Sequence, residues 1–138
     1  MSLQFLLDTN VLSEVMRFDP DAHVVARFRS DARVSCTAAP AWFELDSGRR
    51  LVPDGRRRRL LDDALDRFGE QLTILPYDSA AARWHAYEHA RLVRAGRTPS
   101  FVDTQIAAVA AVNDLVLVTR NVRDFRDFED LEVESWFA

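Results

Sequence analysis

Four carboxylates of this sequence lie beside apolar segments, at positions from which they can act together on a ligand. They are Asp8, Glu44, Asp103 and Asp124. The first directly follows the apolar run LQFLL, the second follows two aromatic residues in AWFEL, and the third lies among small and aliphatic residues in SFVDTQIAAVAA. Carboxylates a few ångströms apart raise one another's pKa or require a counter-cation. Without Cys or His beside them, such oxygens suit Mg²⁺ or Mn²⁺ better than Zn²⁺.

A divalent cation held by carboxylates lowers the pKa of a bound water and stabilises the charge of a phosphodiester in its transition state. The acidic residues therefore indicate metal-assisted phosphoryl transfer, most simply hydrolysis of a phosphodiester bond. Neutral polar groups accompany them. Thr9 and Asn10 follow the first carboxylate directly, and Thr119 and Asn121 close the stretch LVLVTRN.

The hydrophobic pattern predicts the elements that must position these groups. Short apolar runs predict strands at 3–7, 33–37, 72–75, 115–119 and 131–136, the last as a terminal edge strand. Helical patterns lie between them, at 10–16, about 19–30, 39–51, 56–68 and 79–95, with a further helix opening at Thr98-Pro99. This alternation predicts an α/β fold of three layers, α/β/α, with a small, mostly parallel central sheet of four or five strands. We expect a single domain over residues 1–138.

Open parallel sheets bind ligands at the carboxyl ends of their strands, where the strand order reverses. If strands 3–7 and 115–119 are neighbours, Asp8 and Asn121 face one crevice, and Asp124 lies about one helical turn further on. Asp103 shares a helix face with two alanines, which allow a close approach to the sheet. The four carboxylates can therefore lie close together at this edge of the sheet.

Each carboxylate also has an ordinary structural alternative. Asp8 and Asp103 can cap or favour the start of a helix. Glu44 can be half-exposed at the edge of an apolar face, and Asp124 can be solvated. We favour a shared site because the acids occupy equivalent ends of different elements.

Composition excludes several classes of protein. The chain has a net charge of −4, which argues against simple electrostatic binding of nucleic acid by the whole surface. It has no secretory signal and no apolar run near the roughly 20 residues of a membrane helix. Its one cysteine, Cys36, fits a reducing cytoplasm and is interpreted as a small buried side chain. All 18 basic residues are arginine.

Other motifs carry weaker signals. The run GRRRR (55–59) is interpreted as a solvated helix face paired with downstream aspartates, with RNA phosphates as the alternative. Arg49, Arg50 and Arg120 are better candidates for substrate contact. A pair of histidines, His85 and His89, has the spacing of half a metal site but no third ligand. The aromatic residues of the same helix are interpreted as core or dimer surface.

Four blocks taken together resemble a known family. They are LLDTNVLSE (6–14), WFEL (42–45), GRTPSFVDTQIAAVAA (96–111) and LVLVTRNVRDF (115–125). In this order and spacing the chain resembles the PIN domain, and more narrowly the VapC-type toxin ribonucleases of bacterial toxin–antitoxin pairs. The resemblance covers nearly the whole chain and implies a PIN-like fold and an RNA-cleaving enzyme dependent on Mg²⁺ or Mn²⁺.

The resemblance also implies roles for individual residues. Asp8 and Asp103 would hold the metal, and Glu44 would complete its shell. The family's fourth acidic position falls around Asn121 or Asp124, so we expect Asp124 to be an outer acid and Asn121 a neutral ligand or positioning group. Supporting roles fall to Thr9, Asn10 and Thr119, the last orienting a carboxylate through its hydroxyl group.

Partners follow from the same resemblance. It implies an RNA substrate, a small VapB-like antitoxin whose C-terminal segment covers the acidic groove, and a homodimer. One departure is Asp46, which replaces a neutral residue of the family pattern.

Rival functions are weighed against the same residues. Response-regulator receivers and haloacid-dehalogenase-type phosphatases also cluster acids at strand ends, but both typically use a lysine, and this chain has none. The phosphatases also need an acid two residues after the nucleophile, where this chain has Asn10. A non-catalytic PIN-like binding module remains the alternative from another class, although all three main acids are intact.

Overall fold

The computed structural model of the chain describes residues 2–138. Five short strands form its centre: β1 (Phe5–Leu7), β2 (Ser35–Ala38), β3 (Thr73–Leu75), β4 (Val116–Val118) and β5 (Val133–Glu134). They lie in the order β3-β2-β1-β4-β5, and every registered pair is parallel. The predicted parallel sheet is confirmed, with β5 as an edge strand.

Six α-helices connect the strands: α1 (Thr9–Val15), α2 (Ala22–Asp31), α3 (Ala39–Arg50), α4 (Arg56–Gln71), α5 (Ser79–Arg94) and α6 (Phe101–Val112). Two short 3₁₀ helices, Ala32–Val34 and Val122–Phe125, precede β2 and follow β4. In residues 2–138 none of the helices combines the length and hydrophobicity needed to cross a bilayer.

The two faces of the sheet bury separate cores, which confirms the predicted α/β/α layering. Successive strand residues point to opposite faces. Leu6 therefore packs with α5 and α6, whereas Leu7 packs with α1, α2 and α4. Leu117 and Val118 divide between the same two cores. The α6 side is built largely from fully buried alanines, so this helix lies close to the sheet.

The strand order reverses at β1. From β1 the chain adds β2 and then β3 on one side, and it next crosses back to place β4 on the other side of β1. Ligands of open parallel sheets bind outside such a switch point. The carboxyl ends of β1 and β4 are neighbours there, as the sequence predicts.

Several predicted boundaries are corrected by the structure. The last predicted helix does not begin at Thr98-Pro99 but at Phe101, because the Ser100 hydroxyl accepts a hydrogen bond from the Asp103 amide (3.3 Å) and caps the helix. The strand predicted from residue 33 starts at Ser35, since a 3₁₀ turn occupies the preceding residues. Gly96, with φ +81°, ends α5 as predicted.

The C-terminal residues belong to the core, and this gives a test. Trp136 is fully buried, packs edge-on against Phe5 with ring centroids 5.4 Å apart, and donates from Nε1 to Glu134 (3.0 Å). Trp136→Ala is expected to lower the free energy of unfolding by about 3–5 kcal/mol, measured by urea denaturation. Phe18→Ala, at a fully exposed side chain, is the control and is expected to change it by less than about 0.5 kcal/mol. Equal stability of the two variants would contradict the packing described.

Candidate functional site

Asp8 lies at the first turn after β1 and is the most deeply buried carboxylate of the predicted set. Its backbone amide donates to Val118 of β4 (2.9 Å), so Asp8 is still held by the sheet. Its Oδ1 accepts from the Thr9 amide (2.8 Å) and makes Asp8 the N-cap of α1. The capping role and the site role therefore coexist in one residue, because the helix begins where the sheet presents its polar edge.

The second oxygen of Asp8 is held from β4. Thr119 is fully buried, and its hydroxyl donates to Asp8 Oδ2 (2.9 Å), as the sequence analysis anticipated. The same hydroxyl accepts from the Asn121 amide (3.1 Å) and from Asn10 Nδ2 (3.3 Å). Asn10 in turn accepts from the Arg120 amide (3.0 Å) and thereby ties α1 to the loop after β4. These bonds fix the direction of the carboxylate.

Burial raises the pKa of Asp8, and the negative charge of Glu44 raises it further, whereas the bonds from Thr119, Thr9 and Asn10 lower it. Burial is the largest of these effects. Asp8 is thus a carboxylate whose charged form is supported by neutral donors, and within residues 2–138 it forms no ion pair with a basic side chain.

Glu44 reaches the same place from the exposed face of α3. Its Oε1 accepts from the Thr9 hydroxyl at 2.7 Å, across 35 residues of sequence. Thr9 therefore links two carboxylates: its amide donates to Asp8 and its hydroxyl to Glu44. Pro40 in the first turn of α3 and the buried Leu45 position the helix that carries Glu44.

Asp103 lies in the first turn of α6 and is half-buried. Burial, followed by the charges of Asp8, Asp124 and Glu44, raises its pKa to about 6. Within residues 2–138 Asp103 forms no salt bridge that would offset this effect. Its raised pKa indicates that Asp8, Glu44 and Asp124 lie within electrostatic reach of Asp103.

An open cavity of about 450 Å³ contains most of this cluster. It is lined by Asp8, Thr9, Asn10, Ser13, Glu14, Arg17, Glu44, Asp103, Arg120, Asn121 and Phe125. Asn121 therefore faces the same crevice as Asp8, as predicted. Asp124 lines an adjoining cavity instead, although its charge is felt at Asp103.

The three arginines predicted to contact substrate are placed differently from one another. Arg120 lines the acidic cavity, whereas Arg49 and Arg50 do not. Arg49 is bound to Asp46 (2.8 Å) and Asp66 (3.1 Å), and only 15% of its side chain is exposed. Arg50 also pairs with Asp46 (3.0 Å) but is 64% exposed. Asp46, the departure from the family pattern, thus organises these two arginines.

Sequence reasoning missed two charged residues of the cavity, Glu14 and Arg17. The Asp21 amide, Arg17 and Arg120 lower the pKa of Glu14, and the amide has the largest effect. Arg17 lies 3.1 Å from Glu14. The sequence contained a signal, since Asn10 and Glu14 lie four residues apart on α1 and Arg17 follows three residues after Glu14, just past the end of the helix.

Other sequence candidates have structural explanations. Tyr77 and the Nδ1 of His85 share a hydrogen bond (2.8 Å), and burial, followed by the charge of His89, lowers the pKa of His85. Burial raises the pKa of the Cys36 thiol to about 12, so this buried thiol is no nucleophile. The basic run pairs partly with downstream acids, for example Arg58 with Asp62 (3.0 Å).

The donor atoms of this cluster decide whether it can bind a divalent metal ion. Within residues 2–138 no three His, Cys, Asp or Glu side chains are grouped closely enough to hold a metal by themselves. Mg²⁺, however, is usually bound by one or two carboxylates together with water and substrate phosphate. Asp8 and Asp103 meet that need, because each is a carboxylate whose pKa is raised by burial and by neighbouring negative charge. The donor set therefore fits a hard, partly hydrated cation.

Comparison with known proteins agrees with this geometry. Residues 5–131 match the model of the PIN domain family. The chain is 31% identical over 134 residues to the tRNA(fMet)-specific endonuclease VapC of Shigella flexneri, covering 97% of this chain and 98% of the relative. It superimposes on a chain of DNA-bound VapBC from Salmonella typhimurium with a TM-score of 0.86 and 28% identity, covering 97% and 98% of the two chains. It matches FitAcB from Neisseria gonorrhoeae with a TM-score of 0.83 and 29% identity, covering 98% and 97%.

The raised pKa of Asp103 predicts a stability change. Between pH 3.8 and about 6 Asp103 binds more protons in the folded chain than in the unfolded chain, so its contribution to stability falls as the pH rises through this range. Asp103→Asn is expected to remove this loss and, in EDTA at pH 7, to raise the free energy of unfolding by about 1 kcal/mol after solvent screening. Urea denaturation at pH 4 and pH 7 measures it, with the exposed Asp54→Asn as control. A variant less stable than wild type at pH 7 would contradict the described repulsion.

Proposed function

Since this chain belongs to the PIN domain family and to its VapC group, we propose that it is a Mg²⁺- or Mn²⁺-dependent endoribonuclease, the toxin of a toxin–antitoxin pair. One observation carries the proposal. The carboxylates of Asp8, Glu44 and Asp103, which come from three separate parts of the fold, line one cavity at the switch point of the sheet, and Thr9 donates hydrogen bonds to both Asp8 and Glu44. A cluster of this kind has a chemical purpose only when a cation and an anionic substrate join it.

In this proposal Asp8 and Asp103 hold the metal, with Glu44 at the edge of the site. The metal, when bound, supplies Lewis-acid stabilisation of the phosphodiester and lowers the pKa of the attacking water. Thr119 and Asn10 keep Asp8 Oδ2 directed into the cavity, and the Thr9 amide keeps Oδ1 engaged. The chain thereby fixes the carboxylate before substrate arrives.

Glu44 is assigned to orient the attacking water. Its Oε1 is engaged by the Thr9 hydroxyl, and within residues 2–138 its Oε2 makes no hydrogen bond. An exposed carboxylate oxygen beside a bound phosphodiester can accept a hydrogen bond from water and direct a lone pair at phosphorus. Thr9 fixes the rotamer from which Glu44 does this.

The fourth acidic position is divided between two residues. Asn121 lines the acidic cavity and is assigned as a neutral positioning group, while Asp124 acts from the adjoining cavity through its charge on Asp103. Arg120 is the strongest candidate for RNA contact, since it lines both cavities. Arg50 remains a secondary candidate, and Arg49 is occupied by aspartates.

Relatives suggest the partners to test. The Shigella flexneri relative is named for tRNA(fMet), and the Salmonella typhimurium structure is a VapBC complex. We therefore propose a VapB-like antitoxin, a homodimeric toxin and a tRNA substrate for this chain. The proposed RNA substrate and the free thiol of Cys36 support a cytoplasmic location for this activity.

Cleavage of RNA by the purified chain is the direct test. Initiator tRNA and total tRNA are incubated with Mg²⁺, Mn²⁺ or EDTA, and products are resolved on denaturing gels. Wild type is expected to cleave only with metal, and Asp103→Asn to be slower by at least about a hundredfold. Asp103→Asn is preferred to Asp8→Asn because an amide at position 8 would set an N–H₂ group against the donors that now bind Asp8 Oδ2. Wild-type chain without activity on either RNA would favour the non-catalytic binding module.

Metal binding has a readout independent of cleavage. A ligand that binds only the folded chain at ten times its Kd stabilises it by about 1.4 kcal/mol, which raises the Tm by about 5 °C. Millimolar Mn²⁺ is expected to raise the Tm of wild type in this way and to leave Asp103→Asn nearly unchanged. Equal shifts in both proteins would place the bound cation elsewhere.

A further inference from the structure

A second cavity, of about 460 Å³, adjoins the acidic one. It is lined by Arg120, Asn121, Val122, Arg123, Asp124 and Arg126, all from the segment that follows β4. Arg120 and Asn121 line both cavities, so the two adjoin at these residues. Whatever lies across the carboxylates can extend directly into this basic cavity.

The charge of this cavity is strongly positive in an otherwise acidic protein. Three arginines face one aspartate in its lining, in a chain whose net charge is −4. Within residues 2–138 neither Arg123 nor Arg126 forms an ion pair, and both are exposed. Three arginines of α3 and α4, by contrast, are bound to aspartates: Arg49, Arg50 and Arg58.

The acids that follow in the sequence do not neutralise the cavity. Asp127 is engaged by Arg97 (2.7 Å), and Glu129 lies 3.6 Å from Arg91. Both partners come from α5 and its C-terminal end. Arg123 and Arg126 are therefore left to bind an external anion.

The element that carries these arginines is anchored. Phe125, between Arg123 and Arg126, is buried in the core beside Phe128. At the border of the two cavities, the Arg120 guanidinium lies over the ring of Phe137 at 4.9 Å. A guanidinium group on a fixed support loses little freedom when it binds, and its planar fork matches two phosphate oxygens.

We propose that this cavity is a phosphate-binding subsite for the RNA strand, in which Arg123 and Arg126 hold the backbone next to the phosphodiester placed at the carboxylates. This inference rests on the proposed ribonuclease function and adds the residues that set the strand's position. Arg120 spans the border, where the two adjacent phosphates of one strand would lie. RNA is favoured over an acidic peptide because the cavity adjoins the acidic one, where a carboxylate-rich peptide would be repelled by Asp8 and Asp103.

The test compares two double variants with the same change of charge. Arg123→Ala/Arg126→Ala removes the subsite, and Arg29→Ala/Arg33→Ala removes two exposed arginines that line neither cavity. Cleavage of initiator tRNA gives kcat and KM. Loss of the subsite is expected to raise KM at least about tenfold with kcat within about twofold, whereas the control stays near wild type. Circular dichroism checks that both variants unfold like wild type.

A binding measurement does not depend on cleavage. Fluorescence anisotropy with a labelled 20-nucleotide single-stranded RNA, in the Asp103→Asn background, gives Kd as a function of KCl concentration. Removing two phosphate contacts is expected to reduce the slope of log Kd against log salt by about 1.4. Arg123→Lys/Arg126→Lys, which keeps the charge, is expected to retain most of that slope while losing affinity.

The outcomes separate the two proposals. If wild type cleaves RNA but the two double variants behave alike, the ribonuclease function stands and the subsite is wrong. If wild type cleaves no RNA yet the anisotropy depends on Arg123 and Arg126, the function is wrong and the cavity is an RNA-binding site. If the arginine variant keeps its RNA affinity but loses affinity for a polyglutamate peptide, the occupant is an acidic protein segment, which overturns the proposal.

Discussion

The burial of the Asp8 carboxylate at the end of β1 is the constraint on which the rest of this site depends. A buried carboxylate must be hydrogen-bonded, and the chain offers it only neutral donors. Thr9 supplies one from the helix that Asp8 caps, and Thr119 supplies another from the neighbouring strand. The pairing of β1 with β4 and the start of α1 are thereby fixed by the same side chain.

Mutual repulsion is the second consequence of this arrangement. Asp103 and Glu44 approach Asp8 from other helices. Within residues 2–138 no arginine forms an ion pair with these carboxylates, whereas Asp46 is paired with Arg49. The fold therefore keeps unfavourable electrostatics at one edge of the sheet, where a cation and an anionic substrate can relieve it. The lack of ion pairs among these carboxylates distinguishes the site from the paired charges elsewhere on the surface.

The arginines also differ in whether they are paired with acidic side chains. Arg49, Arg50 and Arg58 on α3 and α4 are bound to aspartates, whereas Arg123 and Arg126, after β4, form no ion pair within residues 2–138. Arg120, at the border of the two cavities, lies 3.9 Å from Glu14. Arg17 and Arg120 line the acidic cavity, but they pair with Glu14 rather than with Asp8, Glu44 or Asp103 within residues 2–138. This is the charge pattern that an enzyme acting on a polyanion through a bound cation requires.

The sequence by itself determined the strands, their parallel pairing, most helices and the carboxylates of the site, because hydrophobic periodicity and polar residues at strand ends are local signals. The first residues of helices were harder to predict from sequence. Pro99 and Ser100 are adjacent and each can mark a helix start, and the structure uses Ser100 as the N-cap of α6. Only the tertiary structure decided which arginines are free, that Glu14 and Arg17 join the cavity, and that Asn121 and Asp124 line different cavities. The physical reason is that ion pairs such as Arg49–Asp66 and cavity walls join residues far apart in sequence, so composition and spacing alone do not specify them.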